Sequence, residues 1–309
     1  MIPRPRARPQ SLLQAVTRPS LCLSSRICSS QPFPRSYHNL PELSNGKDAV
    51  FSKYGVPGFL SPAAYDETWT QYQTALCDYL NDETQGTTLE SIHVKKLHEI
   101  TAKQPSKAAL YNHAAQAHHN HFFFNGLSAI PEPHPPNHTV QNCVQEWFEG
   151  MEHLRDEMVD TAMAMFGNGY VWLMADGKDG GLDKSALSIL CTYNAGSPFA
   201  AAHARRQPLD GQTAGSFGNQ SRHKILEHER SFDGTPILCL KVWEHQWMRD
   251  YGLAGKQVYV QNWWNRIDWD EVVARLVVVR PTEGQQSTTA PGAARNQRLV
   301  DRLTQPMSA

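Results

Sequence analysis

The sequence predicts an α+β fold, with helices first and a small antiparallel sheet second. Helical patterns over 62–81 and 108–127 precede the proline-rich run Pro131-Glu132-Pro133-His134-Pro135-Pro136. Strand-like stretches at 171–175, 186–192 and 237–242 follow it, the first two separated by the hairpin signal Asp176-Gly177-Lys178-Asp179-Gly180-Gly181. Helices and strands grouped in this way are the mark of the α+β class.

The 309 residues are 40% hydrophobic, enough for two modest domains or one large one with extensions. No run of about 18 apolar residues is present to span a membrane. Residues 1–37 hold six arginines (Arg4, Arg6, Arg8, Arg18, Arg26, Arg35), and no acidic residue precedes Glu42. This is the composition of a mitochondrial transit peptide with processing near Arg35 to His38; a disordered basic arm is the alternative. Pro, Arg and Ser interrupt its apolar stretches too often for a secretory signal. Without these arginines 23 basic residues face 30 acidic ones, a formal charge near −7. Cys22 and Cys28 lie in this segment, while Cys77, Cys143, Cys191 and Cys239 are scattered without metal-ligand spacing. They read as buried or half-buried thiols rather than a disulfide framework.

In chain order, a coil at 38–60 leads to Ser61, an N-cap, with Pro62 at the first helical position. Tyr65, Trp69, Tyr72, Leu76, Tyr79 and Leu80 then recur at spacings of three and four, one amphipathic helix. A short helix is expected at 89–101 and a longer one at 108–127. The prolines at 131–136 end the first domain, 38–130, and a second is expected at 139–278. Within 140–165, Val144, Trp147, Phe148, Met151, Leu154, Met158 and Met165 form an apolar stripe over one or two helices, read as core rather than a cofactor site. Residues 258–276 carry Trp263, Trp264, Ile267, Trp269, Val272 and Val273 and read as terminal helices. The polar stretch 200–234 is long for a connection, and loops of that length are functional or disordered. The Gln/Ser/Thr/Pro-rich tail 279–309, with a basic amphipathic end from Arg295 to Leu303, is expected to be disordered without a partner.

Several motifs resemble those of the iron/manganese superoxide dismutases. Asn112-His113-Ala114-Ala115-Gln116-Ala117-His118-His119-Asn120-His121-Phe122-Phe123-Phe124-Asn125 is similar to that family's Asn-x-Ala-Ala-Gln-x-x-Asn-His-x-Phe-x-Trp-Asn. Phe166-Gly167-Asn168-Gly169-Tyr170-Val171-Trp172-Leu173 and Asn194-Ala195-Gly196-Ser197-Pro198 also match family motifs, and Lys241-Val242-Trp243-Glu244-His245 resembles its Asp-x-Trp-Glu-His. The resemblance covers roughly 40–278. It implies an N-terminal helical hairpin domain, a C-terminal α/β domain with a small antiparallel sheet, and 200–234 as an insert about twice the family's length.

Four ligand positions, three His and one Asp in the family, fall on Thr68, Asn120, Lys241 and His245. One imidazole beside a lysine cannot hold a transition metal that needs three or more donors, so no catalytic residue, metal or cofactor is expected. His119 and His121 flank Asn120, but one helical residue turns a side chain by about 100°. His118 and His121 share a face at i, i+3 without a Cys or carboxylate to complete a zinc site.

A dismutase fold with lost ligands behind a mitochondrial presequence resembles the dismutase-like proteins of the fungal mitochondrial ribosome's small (37S) subunit. The resemblance implies a non-catalytic structural constituent of the mitochondrial ribosome in the matrix; a divergent mitochondrial superoxide dismutase is the alternative. Implied partners are small-subunit ribosomal proteins and a second dismutase-like subunit, as hetero- or homodimer, with Glu244 and His245 at the interface. The negative balance disfavours broad rRNA binding and leaves limited contact. Arg205, Arg206, Arg222 and Lys224 in the insert are the candidate ribosome contacts.

Overall fold

A computed structural model describes residues 37–102, 104–176, 186–199, 202 and 234–279. Residues 1–36, expected to be a transit peptide, most of the 176–181 turn, nearly all of the 200–234 stretch and the tail beyond Val279 lie outside these residues.

A short helix α1 (Lys47–Tyr54) ends at Gly55. With φ of +72°, a Cβ on this glycine would lie 2.2 Å from the Leu60 carbonyl oxygen, so no other residue fits the turn. Ser61 then caps α2 (Pro62–Tyr65): its Oγ accepts the Ala64 N–H at 3.1 Å, and Pro62 occupies N1 as expected. The helix expected at 62–81 is not uniform. It runs α2, a π-helical stretch Asp66–Gln71, then α3 (Tyr72–Thr84). Thr68 Oγ1 donates to the Ala64 carbonyl at 2.6 Å inside this widened turn, and Trp69 is anchored by an indole hydrogen bond to Asp48 at 3.1 Å. A π insertion changes which side chains face inward, a departure that a 3.6-residue period cannot register.

The helix expected from Leu89 begins later, as α4 (Val94–Thr101), because His93 Nδ1 accepts the Lys95 N–H and acts as its cap. α5 (Ala108–Asn125) packs on both α3 and α4. After the prolines come α6 (His138–Phe148), capped by Asn137, and α7 (Met151–Ala164), broken apart at Glu149 and Gly150, both with positive φ.

The sheet has three strands in the order β2-β1-β3: β1 (Gly169–Asp176), β2 (Ala186–Tyr193) and β3 (Thr235–Lys241). Both pairings are antiparallel, with Gly169 opposite Tyr193 and Tyr170 opposite Lys241, and a bulge at Leu173/Met174. Residues 170–175 of β1 are buried without alternation, the pattern of a strand covered on both faces. α7 packs on β1, α6 on β2 and α5 on β3. Then come α8 (Glu244–Tyr251), α9 (Lys256–Trp264) and α10 (Trp269–Val279).

The largest hydrophobic cluster extends from Leu43 and Trp69 through Phe124 and Trp172 to Leu276, joining the helices to the sheet, while α3, α4 and α5 enclose a second around Leu80, Leu97 and Leu110. Lys47 fastens the first from the side, its amine 2.8 Å from Asp268 Oδ2 and 2.6 Å from the Asn125 carbonyl. Cys77, Cys143 and Cys239 are buried as expected, but Cys191 on β2 is exposed, a correction to the reading of all four as inward-facing. Its position on an edge strand with a free outer face accounts for this.

Candidate functional site

The antiparallel register sets Tyr170 beside Lys241 at one end of the sheet, and α5 crosses there with Gln116 and Asn120, one helical turn apart. The π-helical stretch brings in Thr68, and α8 starts three residues beyond Lys241. Lys241 is wholly buried, and its amine donates to Asn120 Oδ1 at 2.8 Å. Asn120 Nδ2 in turn donates to Gln73 Oε1 at 3.0 Å and to the Thr68 carbonyl at 3.2 Å. Gln246, also buried, donates from Nε2 to Thr68 Oγ1 at 3.3 Å. The amine sits 4.8 Å from the centre of the Tyr72 ring, and that ring packs at 4.7 Å against His245. All four positions expected to correspond to ligands therefore belong to one constellation.

A second layer adjoins it. Gln116 Oε1 accepts the Tyr170 hydroxyl at 2.8 Å, and its Nε2 donates to the Asn194 carbonyl at 2.8 Å. Tyr259 donates to the Lys241 carbonyl at 2.7 Å.

The chemistry of this set is inert. Burial pulls the Lys241 amine well below the usual lysine range, and no carboxylate among the described residues pairs with it. Burial likewise raises the Tyr170 hydroxyl well above its ordinary value and pushes Tyr72 up to about 12. His245 is lowered, first by burial of its ring and then by Lys241. No acid–base pair is poised near neutrality. The donors do not suit iron or manganese either: one imidazole, an amide already engaged on both ends, a hydroxyl bonded to its own helix, and an amine occupying the centre.

The flanking histidines do not rescue a ligand. His119 is fully buried, edge-on to Tyr170 and Trp172 at 5.3 and 5.0 Å, with its pKa pulled well down by burial. His118 packs against His98 at 5.6 Å, and His121 lies over Trp69 at 5.9 Å, so the i, i+3 pair serves two different contacts. No group of three His, Cys, Asp or Glu among the described residues could hold a metal ion. His98 was not singled out in the sequence. It is buried, hydrogen-bonded to Ser197 Oγ at 3.2 Å, and lowered to about 4 chiefly by burial.

Glu244 and His245 are exposed at the sheet end where β1 starts and where β2 and β3 finish. The Glu244 N–H is held by Asn168 Oδ1 at 3.0 Å. At the same end Phe166 is 96% exposed and Tyr193 is 52% exposed, two aromatic side chains with no interior role. Gln246 is the site residue that sequence reasoning missed; it follows Glu244 and His245 in a short polar run, where nothing marks one amide as buried. Arg205, Arg206, Arg222 and Lys224 lie outside the described residues.

A family model for the C-terminal domain of iron/manganese superoxide dismutases matches residues 136–210 and 215–275. The small ribosomal subunit protein mS43 of Schizosaccharomyces pombe is 32% identical over 248 residues, 78% of this chain and 85% of that protein. The small ribosomal subunit protein mS42 of the same yeast is 29% identical over 58% of this chain and 72% of its own length. An iron superoxide dismutase of Nostoc sp. is 26% identical over 73% of this chain and 91% of its own.

Proposed function

The chain belongs to the iron/manganese superoxide dismutase fold family, in the group that contains the small ribosomal subunit protein mS43, and from that premise we infer a structural, non-catalytic constituent of the mitochondrial ribosome's small subunit. The observation that carries the loss of catalysis is the Lys241 amine, buried at the centre of the ligand positions and bonded to Asn120. The likeness to mS43 and mS42 supports a mitochondrial protein that associates with small-subunit ribosomal proteins.

Residence in the matrix on the assembled ribosome is our further reading, supported by the acid-free, arginine-rich first 37 residues. A second dismutase-fold subunit is the partner we assign to the sheet end bearing Glu244 and His245. The exposed Phe166 and Tyr193 support it, since aromatic side chains are enriched at protein interfaces and here have no core to join. Contact with rRNA is limited in this reading, because a formal charge near −7 opposes a phosphate surface. Arg205, Arg206, Arg222 and Lys224 remain the candidates for what contact there is.

Co-sedimentation tests the assignment. A tagged full-length chain should travel with the small subunit through a high-salt sucrose gradient of mitochondrial lysate. A chain that stays at the top of the gradient in every salt overturns it. Phe166→Glu with His245→Glu should weaken pairing with the dismutase-fold partner while leaving the thermal transition in place.

A further inference from the structure

The sheet has two edges of different character. β3 is buried along nearly all of its length and carries Pro236 near its start. β2 pairs with β1 alone, and among the described residues no strand lies on its other side. Which of its main-chain groups point outward follows from two hydrogen bonds at the sheet end. The Gly169 carbonyl accepts the Val242 N–H at 2.8 Å and the Asn168 carbonyl accepts the Asn194 N–H at 2.9 Å, so Gly169 faces β3 and Asn168 faces β2. Main-chain groups change side with each residue of a strand, and the β1–β2 register runs unbroken from Gly169/Tyr193 to Asp176/Ala186. Ser188, Leu190 and Thr192 therefore bond to β1, whereas Leu187, Ile189, Cys191 and Tyr193 turn their N–H and C=O groups outward. The Tyr193 carbonyl accepts the Gly196 N–H at 2.9 Å, and Leu187 is buried. Ile189 and Cys191, about 7 Å apart along the strand, keep these groups unpaired among the described residues.

Natural sheets blunt an open edge with charge, proline, a bulge or a very short strand. Ala186-Leu187-Ser188-Ile189-Leu190-Cys191-Thr192-Tyr193 has none of these. Ile189 and Leu190 are half-buried and, as neighbours in a strand, lie on opposite faces, so apolar surface flanks the open main chain on both sides. Only an extended chain presents donors and acceptors at the matching spacing. The edge also runs into Tyr193, and so into the sheet end that bears Phe166, Glu244 and His245, the surface assigned above to a neighbouring subunit.

We propose that β2 receives a fourth strand, an extended and uncharged segment of a neighbouring small-subunit protein. The added strand bonds to the main chain of Ile189 and Cys191 and covers the Ile189 and Leu190 side chains with β-branched or aromatic residues of its own. A charged residue in it would find no opposite charge on β2. This rests on the small-subunit reading and adds to it the way in which one neighbour is held.

The test is hydrogen exchange, resolved residue by residue by mass spectrometry, on the purified full chain and on the same chain within small subunits isolated from mitochondria. In the free chain the amides of Leu190 and Thr192 should be protected and those of Ile189 and Cys191 should not. In the subunit the Ile189 and Cys191 amides should exchange about tenfold more slowly, the scale of one backbone hydrogen bond. Cys191→Pro removes an outward donor at a position where an edge strand accepts proline. It should keep the wild-type thermal transition and lower the ratio of subunit-bound to free chain about tenfold. Should this variant unfold, the exchange comparison still decides, because it uses wild type alone. Equal exchange of Ile189 and Cys191 in the two states overturns the proposal. Protection already present in the free chain at every dilution overturns it too, since the chain then covers its own edge; so does protection that appears only on concentrating the free chain, which means that two copies pair there. If wild type co-sediments with the small subunit and its edge amides do not slow, the edge assignment alone falls; if wild type does not co-sediment, the function falls with it.

Discussion

Raising the pH should stabilise this protein through Lys241, and Lys241→Met should remove that gain. The amine is fully buried with one hydrogen bond, to Asn120 Oδ1 at 2.8 Å, and burial places its folded-state pKa well below 10.5. Between that lowered value and 10.5 the unfolded chain carries an ammonium and the folded protein a neutral amine. The unfolded state then binds one proton more, so stability increases with pH, by about 1.4 kcal/mol per pH unit. The gain is complete only above the unfolded pKa. From pH 7.5 to 9.5 it amounts to as much as about 2.7 kcal/mol.

Burial raises the thiols of Cys77 and Cys239, which act in the opposite direction as the unfolded thiols ionise. Their contribution is common to wild type and variant except at Cys239, which couples to Lys241, so the comparison is repeated in a Cys239→Ala background. Methionine fills the volume without a proton. It leaves Asn120 Oδ1 unpaired, a cost of about 1–3 kcal/mol that does not vary with pH. The slope is therefore the readout, taken from urea midpoints by tryptophan fluorescence at pH 7.5, 8.5 and 9.5. Parallel profiles for wild type and Lys241→Met would refute the reasoning.

Purified full-length protein should contain far less than one iron or manganese per chain by mass spectrometry and show no dismutase activity; a stoichiometric metal lost on His245→Ala would contradict the donor-set argument. Lys47→Met should lower stability by about 3 kcal/mol in chemical denaturation, since it strands Asp268 at the edge of the core, whereas exposed Lys53→Met should change it by less than about 0.5 kcal/mol. Replacing Arg205, Arg206, Arg222 and Lys224 with Gln should flatten the salt dependence of small-subunit association while leaving the melting temperature unchanged; an unaltered salt profile would take the ribosome contact away from the insert.

Local chemistry was readable from the residues alone. The Ser61/Pro62 helix start is a matter of one hydroxyl and one fixed φ, and the strands at 171–175, 186–192 and 237–242 appear in the sheet because short apolar runs between turn signals have few other solutions. The replacement of ligand types at Thr68, Asn120 and Lys241 was also legible, since a residue's identity needs no coordinates. Tertiary structure decided what those replacements do. That the Lys241 amine fills the former ligand constellation depends on contacts between residues 68, 120 and 241, distant in the chain and joined only by packing. The π-helical turn at 66–71 and the burial of Gln73, Gln246 and His98 follow from the same cause. The burials are settled by what lies across the interface, and periodicity along a single helix carries no record of its neighbours; the start of α4 is set instead by the His93 cap, a local contact that the residue type did not announce.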